Sequence, residues 1–267
     1  MARYKLTIEF AGSKYSGWQK QKNARTVQGE LERAIGELTR EKNFEFMGSG
    51  RTDAGVHALR QVAHLDVRKT LPAESLRRGI NDALPADIHV LAVDTVPHRF
   101  HARHGAVARS YLYQVSRRRS AFAKPFVWWV KEPLDLDRMK DAAARFTGMH
   151  DFQAFSDDDP DEKSTDVLVE EVTIGEEGDL VLVRVGGSHF IWKMVRRMIG
   201  VLVEVGKGQL DPADVVSLLA GNPREGLPAP ATLTAPASGL FLERVFYDGD
   251  QRVFPLQSAA AVRPARG

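Results

Sequence analysis

One short stretch, GSGRTDAGVHA at 48–58, places Arg51, Asp53 and His57 among three glycines. A carboxylate beside an arginine stays ionised well below neutral pH. Such an anion can act as a nucleophile, as a general base or as an electrostatic stabiliser of a sugar cation. The plainer alternative is a turn aspartate that caps its own loop. The stretch alone leaves these roles open.

Several familiar sites fit the stretch poorly. It is not a Walker loop, because no Lys-Ser/Thr pair follows the second glycine, and its glycine spacing differs from the dinucleotide fingerprint. Asp53, His57 and His64 could be drawn as metal ligands, but such a set is common by chance, so no metal is expected. Ser49, Asp53 and His57 lie too close in sequence for an acyl-transfer triad. We expect His57 and His64 to make packing or polar contacts.

Composition bounds the class of protein. The chain has 267 residues, 43% of them hydrophobic, which is enough for one large domain or two modest ones. It lacks an apolar run long enough for a membrane span, and the N-terminal MARYKLTIEF lacks the apolar core of a signal peptide. There is no cysteine, so disulfides and thiolate metal sites are excluded. A cytoplasmic location is the expectation.

The basic residues are clustered, although the formal net charge is only +2. One group follows the first predicted strand and a second lies near the middle of the chain: Lys14, Lys20, Lys22 and Arg25, then Arg99, Arg103, Arg109 and 117–119. Clusters of this kind favour an anionic partner with a defined footprint, although charge runs are also typical of solvated faces.

The apolar pattern predicts the elements that must position these groups. RYKLTIEF alternates as a half-buried strand, and Thr26 is a predicted N-cap. In the first half we predict a strand at 4–10, a helix from 26, strands at 43–47 and 61–67, a helix at 73–84 and a strand at 88–93. In the second half we predict a strand at 107–115, a helix at 135–146, a hairpin of 167–174 and 180–185, helices at 191–205 and from 211, and a strand at 240–247.

The two halves share one order of elements, which predicts an α+β fold of two split-βαβ units. We expect these ferredoxin-like or RRM-like units to be related by a pseudo-two-fold axis and joined into one large, mainly antiparallel sheet. Helices would cover one face, and the other would offer a cleft for RNA. The predicted divisions are 1–104, 105–248 and a flexible tail at 249–267.

Six separated motifs carry a resemblance to a known family. GRTDAGVHA resembles the catalytic motif of the tRNA pseudouridine synthase A family. The family's other landmarks are resembled, in order, by KYSGWQKQ, NDALPADIHV, FHARHGAVARSYLY, SHFIWKMVRRMIG and GLFL. The resemblance covers about residues 3 to 248.

The resemblance implies specific roles. Asp53 matches the catalytic aspartate, Arg51 the arginine that helps to extrude the target base, and Tyr111 the tyrosine that stacks on that base. Arg196 matches the arginine that pairs with the aspartate, and Leu240 the leucine that walls the pocket. The family implies isomerisation of uridine to pseudouridine at positions 38, 39 and 40 in the anticodon stem-loop of tRNA, by a homodimer without a cofactor.

The residue pattern alone does not choose between two pairs of candidate residues, and only the resemblance does. Tyr113 shares a strand face with Tyr111, and Arg197 has as good a claim as Arg196, since Lys193, Arg196 and Arg197 all fall off the predicted apolar stripe of their helix. The candidate phosphate contacts are Lys14, Lys20, Lys22, Arg25, Arg99, Arg103 and Arg109.

Two rival functions are a non-catalytic RNA-binding or chaperone protein and a nucleotide-binding enzyme that uses the glycine loop. The chemistry of Asp53, the tRNAs that are modified and the acidic insert at 156–162 stay open.

Overall fold

The computed structural model describes residues 2–159 and 164–262. The chain folds into two units. The first contains the chain up to Val107 together with Phe241–Arg252, and the second contains Ala108–Leu240 together with the chain from Val253 onward. No helix in the described ranges is both long and apolar enough to cross a membrane.

The first unit is built on a four-strand split-βαβ frame. Its elements are β1 (Ala2–Phe10), α1 (Val27–Thr39), β2 (Glu45–Gly48), β3 (His57–Val67), α2 (Ala73–Ala83) and β4 (Ile88–Val96), to which the chain later adds β10 (Leu240–Phe246) from Phe241 onward. The order is β4-β1-β3, with β2 and β10 also paired to β3. All pairs are antiparallel except the parallel pair of β3 and β10.

One face of β1 supplies much of the core of this unit. Tyr4, Leu6, Ile8 and Phe10 are all buried, as their period of two predicts. Leu31 and Ile35 of α1 and Leu76 and Ile80 of α2 are completely buried as well, and the two helices contact each other. Thr26 caps α1 as predicted, because its Oγ1 accepts a hydrogen bond from the Gly29 amide at 3.2 Å.

The second unit repeats the frame with more additions. Its elements are β5 (Ala108–Ser116), β6 (Trp128–Trp129), α3 (Leu136–Ala144), β7 (Gly148–Asp151), β8 (Asp166–Glu177), β9 (Leu180–Gly187), α4 (Met194–Gly206) and α5 (Asp214–Leu219). Its strands lie in the order β5-β9-β8-β7 with antiparallel pairing, and β6 pairs parallel to β5. The predicted α+β class with a mainly antiparallel sheet is confirmed.

The observed division differs from the predicted one at the C-terminal strand. That strand was assigned to the second half, but β10 pairs with β3 of the first unit. Phe241 stacks on the buried His57 ring, with 4.7 Å between ring centroids, and this contact fixes the strand there. A pairing between distant segments leaves no periodic trace in either one.

The chain beyond β10 also differs from the flexible tail predicted at 249–267. Residues 249–252 belong to the first unit, and the described residues 253–262 belong to the second. There Arg184 donates hydrogen bonds to the carbonyls of Phe254 and Pro255, and the amides of Ala259 and Ala260 donate to Gln114 Oε1. Residues 263–267 lie outside the described ranges.

Candidate functional site

The loop at 49–56 that carries Asp53 joins β2 to β3, and its first half is anchored to β3. The Ser49 amide donates to the Val62 carbonyl at 2.8 Å, and the Ser49 hydroxyl donates to Gln61 Oε1 at 2.7 Å. Gln61 Nε2 returns a bond to the Gly50 carbonyl at 3.1 Å. Ser49 and Gln61 are both buried, so the backbone leading to Asp53 is fixed from below.

The second half of the loop contacts the segment after β1 that carries Lys14, Lys20, Lys22 and Arg25, which we call the basic loop. The Trp18 amide donates to the Thr52 carbonyl at 3.1 Å, and the Gly55 amide donates to the Tyr15 carbonyl at 3.3 Å. Gly17 has a φ of +86°, and a Cβ there would lie 2.6 Å from the Thr52 oxygen. Only glycine adopts that conformation and leaves that space without strain.

Other glycines also allow close approach around the loop. A Cβ on Gly12 would lie 1.9 Å from the Val56 carbonyl oxygen, whereas a Cβ on Gly50 would meet nothing within 4 Å. Within the stretch, a Cβ on Gly48 would lie 2.6 Å from Trp18 Nε1, and Gly55 has a left-handed φ of +81°.

Around Asp53 the burial alternates. Arg51 is exposed, Thr52 is buried and Asp53 is half-buried. The Asp53 carbonyl accepts a bond from the Val56 amide at 3.1 Å, which closes a tight turn below the carboxylate. Within the described residues, the buried Thr52 hydroxyl has no hydrogen-bond partner.

Arg51 is held toward the basic loop. Its Nε donates to Gln19 Oε1 at 3.1 Å. Nothing in the sequence pattern marks Gln19, which lies in the KYSGWQKQ segment 32 positions before Arg51. Its amide joins the basic loop to the Asp53 loop and orients the guanidinium.

The two histidines make structural contacts, as we expected. His57 is buried, and its Nδ1 accepts a bond from the Gly12 amide at 3.0 Å. His64 Nδ1 accepts from the Ala102 amide at 3.2 Å, and its Nε2 lies 3.1 Å from Glu45 Oε1. No group of three or more metal-binding side chains is found in the parts of the chain that the structure describes.

The candidate phosphate contacts of the first unit lie on its surface. Lys14 Nζ lies 3.8 Å from Asp87, and Lys20 Nζ lies 2.5 Å from Glu32. Both lysine side chains are more than half exposed, so these ion pairs are weak and easily exchanged for a phosphate. Arg103 is exposed as well.

In the second unit the two tyrosines of β5 are in different surroundings. Tyr113 is completely buried and donates to the Pro236 carbonyl at 2.8 Å. Burial raises the pKa of its hydroxyl well above the ordinary value. Tyr111 is half-buried, and its ring meets Phe190 edge to face with 5.2 Å between centroids.

Arg109 lies on the same strand, two residues before Tyr111. It donates to the Ser188 carbonyl at 2.9 Å, in the segment that also carries Phe190. Burial, and then the charge of Arg109, lower the pKa of His189 in this segment. Leu240, at the C-terminal boundary of the unit, is buried.

Arg196 and Arg197, which the sequence pattern could not rank, also differ in burial and in partners. Arg196 is half-buried, and its Nε donates to the Ala235 carbonyl at 2.7 Å. Arg197 was expected off the apolar stripe but is only 3% exposed and forms an ion pair with Asp157. The expected position of Arg197 was therefore wrong, because the partly exposed carboxylate of Asp157 compensates the charge of the buried guanidinium.

The helix that carries Arg196 starts later than the predicted residue 191. Lys193 has a left-handed φ of 65°, and α4 begins at Met194. The turn before α4 is fixed by the first residues of the acidic insert. The Trp192 amide donates to Asp158 at 2.8 Å, and the Ser156 hydroxyl donates to the Trp192 carbonyl at 3.1 Å. Asp157 forms an ion pair with Lys193 at 2.6 Å.

These contacts give the start of the acidic insert a structural role that the sequence left open. Hydrogen bonding to Lys193, followed by Arg197, lowers the pKa of Asp157. We call Ser156, Asp157 and Asp158 the acidic brace, and residues 160–162 of the predicted insert lie outside the described ranges.

Comparisons with known proteins agree on one family. The family model described as tRNA pseudouridine synthase matches residues 6–104 and 142–248. A curated tRNA pseudouridine synthase A 2 from Clostridium tetani is 38% identical, with 93% of this chain and all of the relative covered. A tRNA pseudouridine synthase A from Rhodopseudomonas palustris is 41% identical at the same coverages, and one from Nitrobacter winogradskyi is 40% identical, with 93% and 97% covered.

A solved Cbf5–Nop10–Gar1 complex aligns with 75% of this chain and 45% of its own chain, at 12% identity and a TM-score of 0.36, which is too low to inform fold or function. The family assignment comes from the sequence relatives, which this chain matches along almost its whole length. The chain belongs to the tRNA pseudouridine synthase family, whose members are isomerases.

Proposed function

We propose that this protein converts uridine to pseudouridine at positions 38, 39 and 40 in the anticodon stem-loop of tRNA, with Asp53 as the catalytic carboxylate. The observation that carries the proposal is the placement of Asp53. It is a half-buried carboxylate on a turn fixed by Ser49, Gln61 and Trp18, in a chain that belongs to this family.

The reaction balances without an oxidant or reductant. The N1–C1′ glycosidic bond breaks, the base turns and a C5–C1′ bond forms. The proton on C5 is then lost, and N1 gains one. Asp53 can serve by adding to the sugar, by adding to the base or by removing the 2′ proton, and all three uses suit a fixed carboxylate.

The target base must leave its stack, which costs a few kcal/mol. A tyrosine face can restack it, at a gain of about 1–3 kcal/mol per base. Tyr111 is the better candidate because its ring is half-buried, whereas the ring and hydroxyl of Tyr113 are enclosed. Arg51 is proposed to assist extrusion, Arg196 to pair with the aspartate, and Leu240 to wall the pocket.

Lys14, Lys20, Arg103 and Arg109 are proposed to contact tRNA phosphates. Such contacts position the RNA without reading its sequence. We further propose that the active form is a homodimer in the cytoplasm that uses no cofactor. Sedimentation of the purified chain tests the dimer.

Chemical mapping of pseudouridine tests the reaction and the substrate together. We expect tRNA from cells that lack this protein to lose pseudouridine at positions 38–40 and to keep it elsewhere. Re-expression of the wild-type chain should restore it. An unchanged map, or a loss confined to another arm of tRNA, would contradict the proposal.

A further inference from the structure

A polar cavity of about 270 Å³ opens in the first unit. Three neighbouring strands and the turn after β10 line it: Lys5, Thr7, Arg60, Val62, Arg244, Val245, Phe246, Asp250 and Gln251. Three cations and one carboxylate face the same space.

The cavity lies on the sheet face opposite the apolar core. Along β1, Tyr4, Leu6 and Ile8 point into the core. Lys5 and Thr7 alternate with them and therefore point the other way. Thr7 is paired with Val62 of β3, which also lines the cavity.

The pairing of β3 with β10 brings two arginines to the same cavity. Phe241 lies beside His57 and Leu242 beside Ala58 in a parallel register. Arg60 and Arg244 lie two residues further along these strands, and both line the cavity. An anion bound in the cavity would reduce the repulsion between these like charges.

Two of the three cations that line the cavity, Lys5 and Arg60, have no carboxylate within ion-pair distance in the described part of the chain. Lys5 Nζ lies over the Tyr247 ring at 5.0 Å, and Arg60 is exposed. The one acidic group of the cavity, Asp250, accepts a hydrogen bond from the Tyr247 amide at 2.8 Å.

We propose that this cavity binds a backbone phosphate of the tRNA substrate, with Arg60 and Lys5 as the principal ligands. The inference rests on the proposed function and adds a contact to it. A guanidinium matches the geometry of a phosphate with two parallel N–H donors, and Lys5 adds a point charge. Arg60 lies three residues into β3, the strand that leaves the Asp53 loop, or about 10 Å along the strand from His57. A phosphate held there would anchor the RNA beside the reacting nucleotide.

The test compares Arg60→Gln with a matched change elsewhere. Arg78→Gln removes an arginine from α2 that is exposed and paired with Glu74 at 2.7 Å. Binding of a tRNA transcript is measured over a series of salt concentrations, and kcat/KM is measured for the same tRNA. Thermal melts of both variants verify folding.

We expect Arg60→Gln to weaken tRNA binding several-fold. The decrease of log K with log salt should also become less steep, by about one unit of slope. kcat/KM for tRNA should fall by a factor similar to the loss of affinity. Arg60→Lys should keep the salt slope, and Arg78→Gln should match the wild type. The double variant Lys5→Gln/Arg60→Gln should weaken binding further.

Equal affinity and equal salt slope for Arg60→Gln and Arg78→Gln would overturn the inference. If Arg60→Gln left tRNA binding unchanged but abolished binding of inorganic phosphate, the cavity would be a site for a free anion instead. Failure of the wider proposal is separate, because it would appear as an absence of pseudouridine formation by the wild type.

Discussion

Two tyrosines two residues apart on β5 differ in what covers them, and this difference favours Tyr111 as the proposed stacking residue. The Tyr113 hydroxyl donates a hydrogen bond to the Pro236 carbonyl inside the core, and a Cβ on the adjacent Gly239 would lie 2.6 Å from the Tyr113 ring. Tyr111 keeps part of its ring in contact with solvent, supported at the edge by Phe190. A stacking platform needs an accessible face on a fixed ring, and of these two rings only that of Tyr111 offers one.

Replacement of Tyr111 by leucine should therefore reduce catalysis without unfolding the protein. Loss of one base–aromatic stack costs about 1–3 kcal/mol, or roughly a 5- to 150-fold drop in kcat/KM for tRNA. Tyr113→Phe is the matched control, since it keeps the ring and loses only the bond to Pro236. It should lower stability by about 1 kcal/mol and leave kcat/KM near the wild-type value. The opposite ranking of the two variants in initial-rate assays would exclude Tyr111 as the platform.

At the level of elements, the acidic brace determines where α4 begins. Lys193 is held in a left-handed conformation, and Asp157 and Asp158 bind the residues around it. Arg196 lies in the first turn of this helix, so its position depends on the brace. The short acidic segment thus acts as a support for a proposed catalytic side chain.

Asp157→Asn should lower both stability and turnover. It leaves the buried Arg197 without a compensating charge, but Asp157 itself is about one-third exposed. We therefore expect a loss of about 1–3 kcal/mol, below the 3–5 typical of a fully buried pair. kcat should fall more than tRNA affinity, because Arg196 shifts while the phosphate contacts stay. Asp141→Asn, which breaks an exposed pair with Arg145 on α3, is the control.

The stability difference between the wild type and Asp157→Asn should also depend on pH. The pKa of Asp157 is lowered in the folded state, so its stabilisation is complete above the ordinary value of 3.8 and is lost as pH falls through the lowered value. The difference in melting temperature between the wild type and Asp157→Asn should therefore shrink below about pH 4. A difference that stays constant down to pH 2, or a variant that behaves like Asp141→Asn at neutral pH, would exclude the brace.

The elements were largely predictable because their signals are local. The period of two in β1, the N-cap at Thr26 and the stripe of α2 each arise within one segment, and each was found in place. The late start of α4 and the burial of Arg197 depend on Asp157, some 40 positions away, and no local period encodes that contact. For the same reason Gln19 could not be assigned to Arg51 from the sequence.

At the scale of the whole molecule, the chain is two units whose boundaries are crossed three times. It passes from the first unit to the second after Val107, returns at Phe241 and leaves again after Arg252. Each unit is thus completed by a segment remote in sequence: β10 for the first, and the chain from Val253 for the second. The proposed groups are divided accordingly, with Asp53 and Arg51 in the first unit and Tyr111 and Arg196 in the second.

From the sequence, groups that lie in different units could be assigned to one site only through the resemblance of several motifs to one family. Asp53 and Arg196 are 143 positions apart, and neither stands out from its neighbours by type alone. The family assignment rests on relatives that match 93% of the chain.

The measurement that tests the account most directly is tritium release from tRNA labelled at C5 of uridine, with the wild type, Asp53→Asn and Asp82→Asn compared. Asp82→Asn makes the same chemical change at an exposed position on α2 of the same unit. We predict that the wild type and Asp82→Asn release tritium at similar rates, and that Asp53→Asn binds tRNA normally and releases none above background. Substantial turnover by Asp53→Asn would contradict the central claim that its carboxylate performs the reaction.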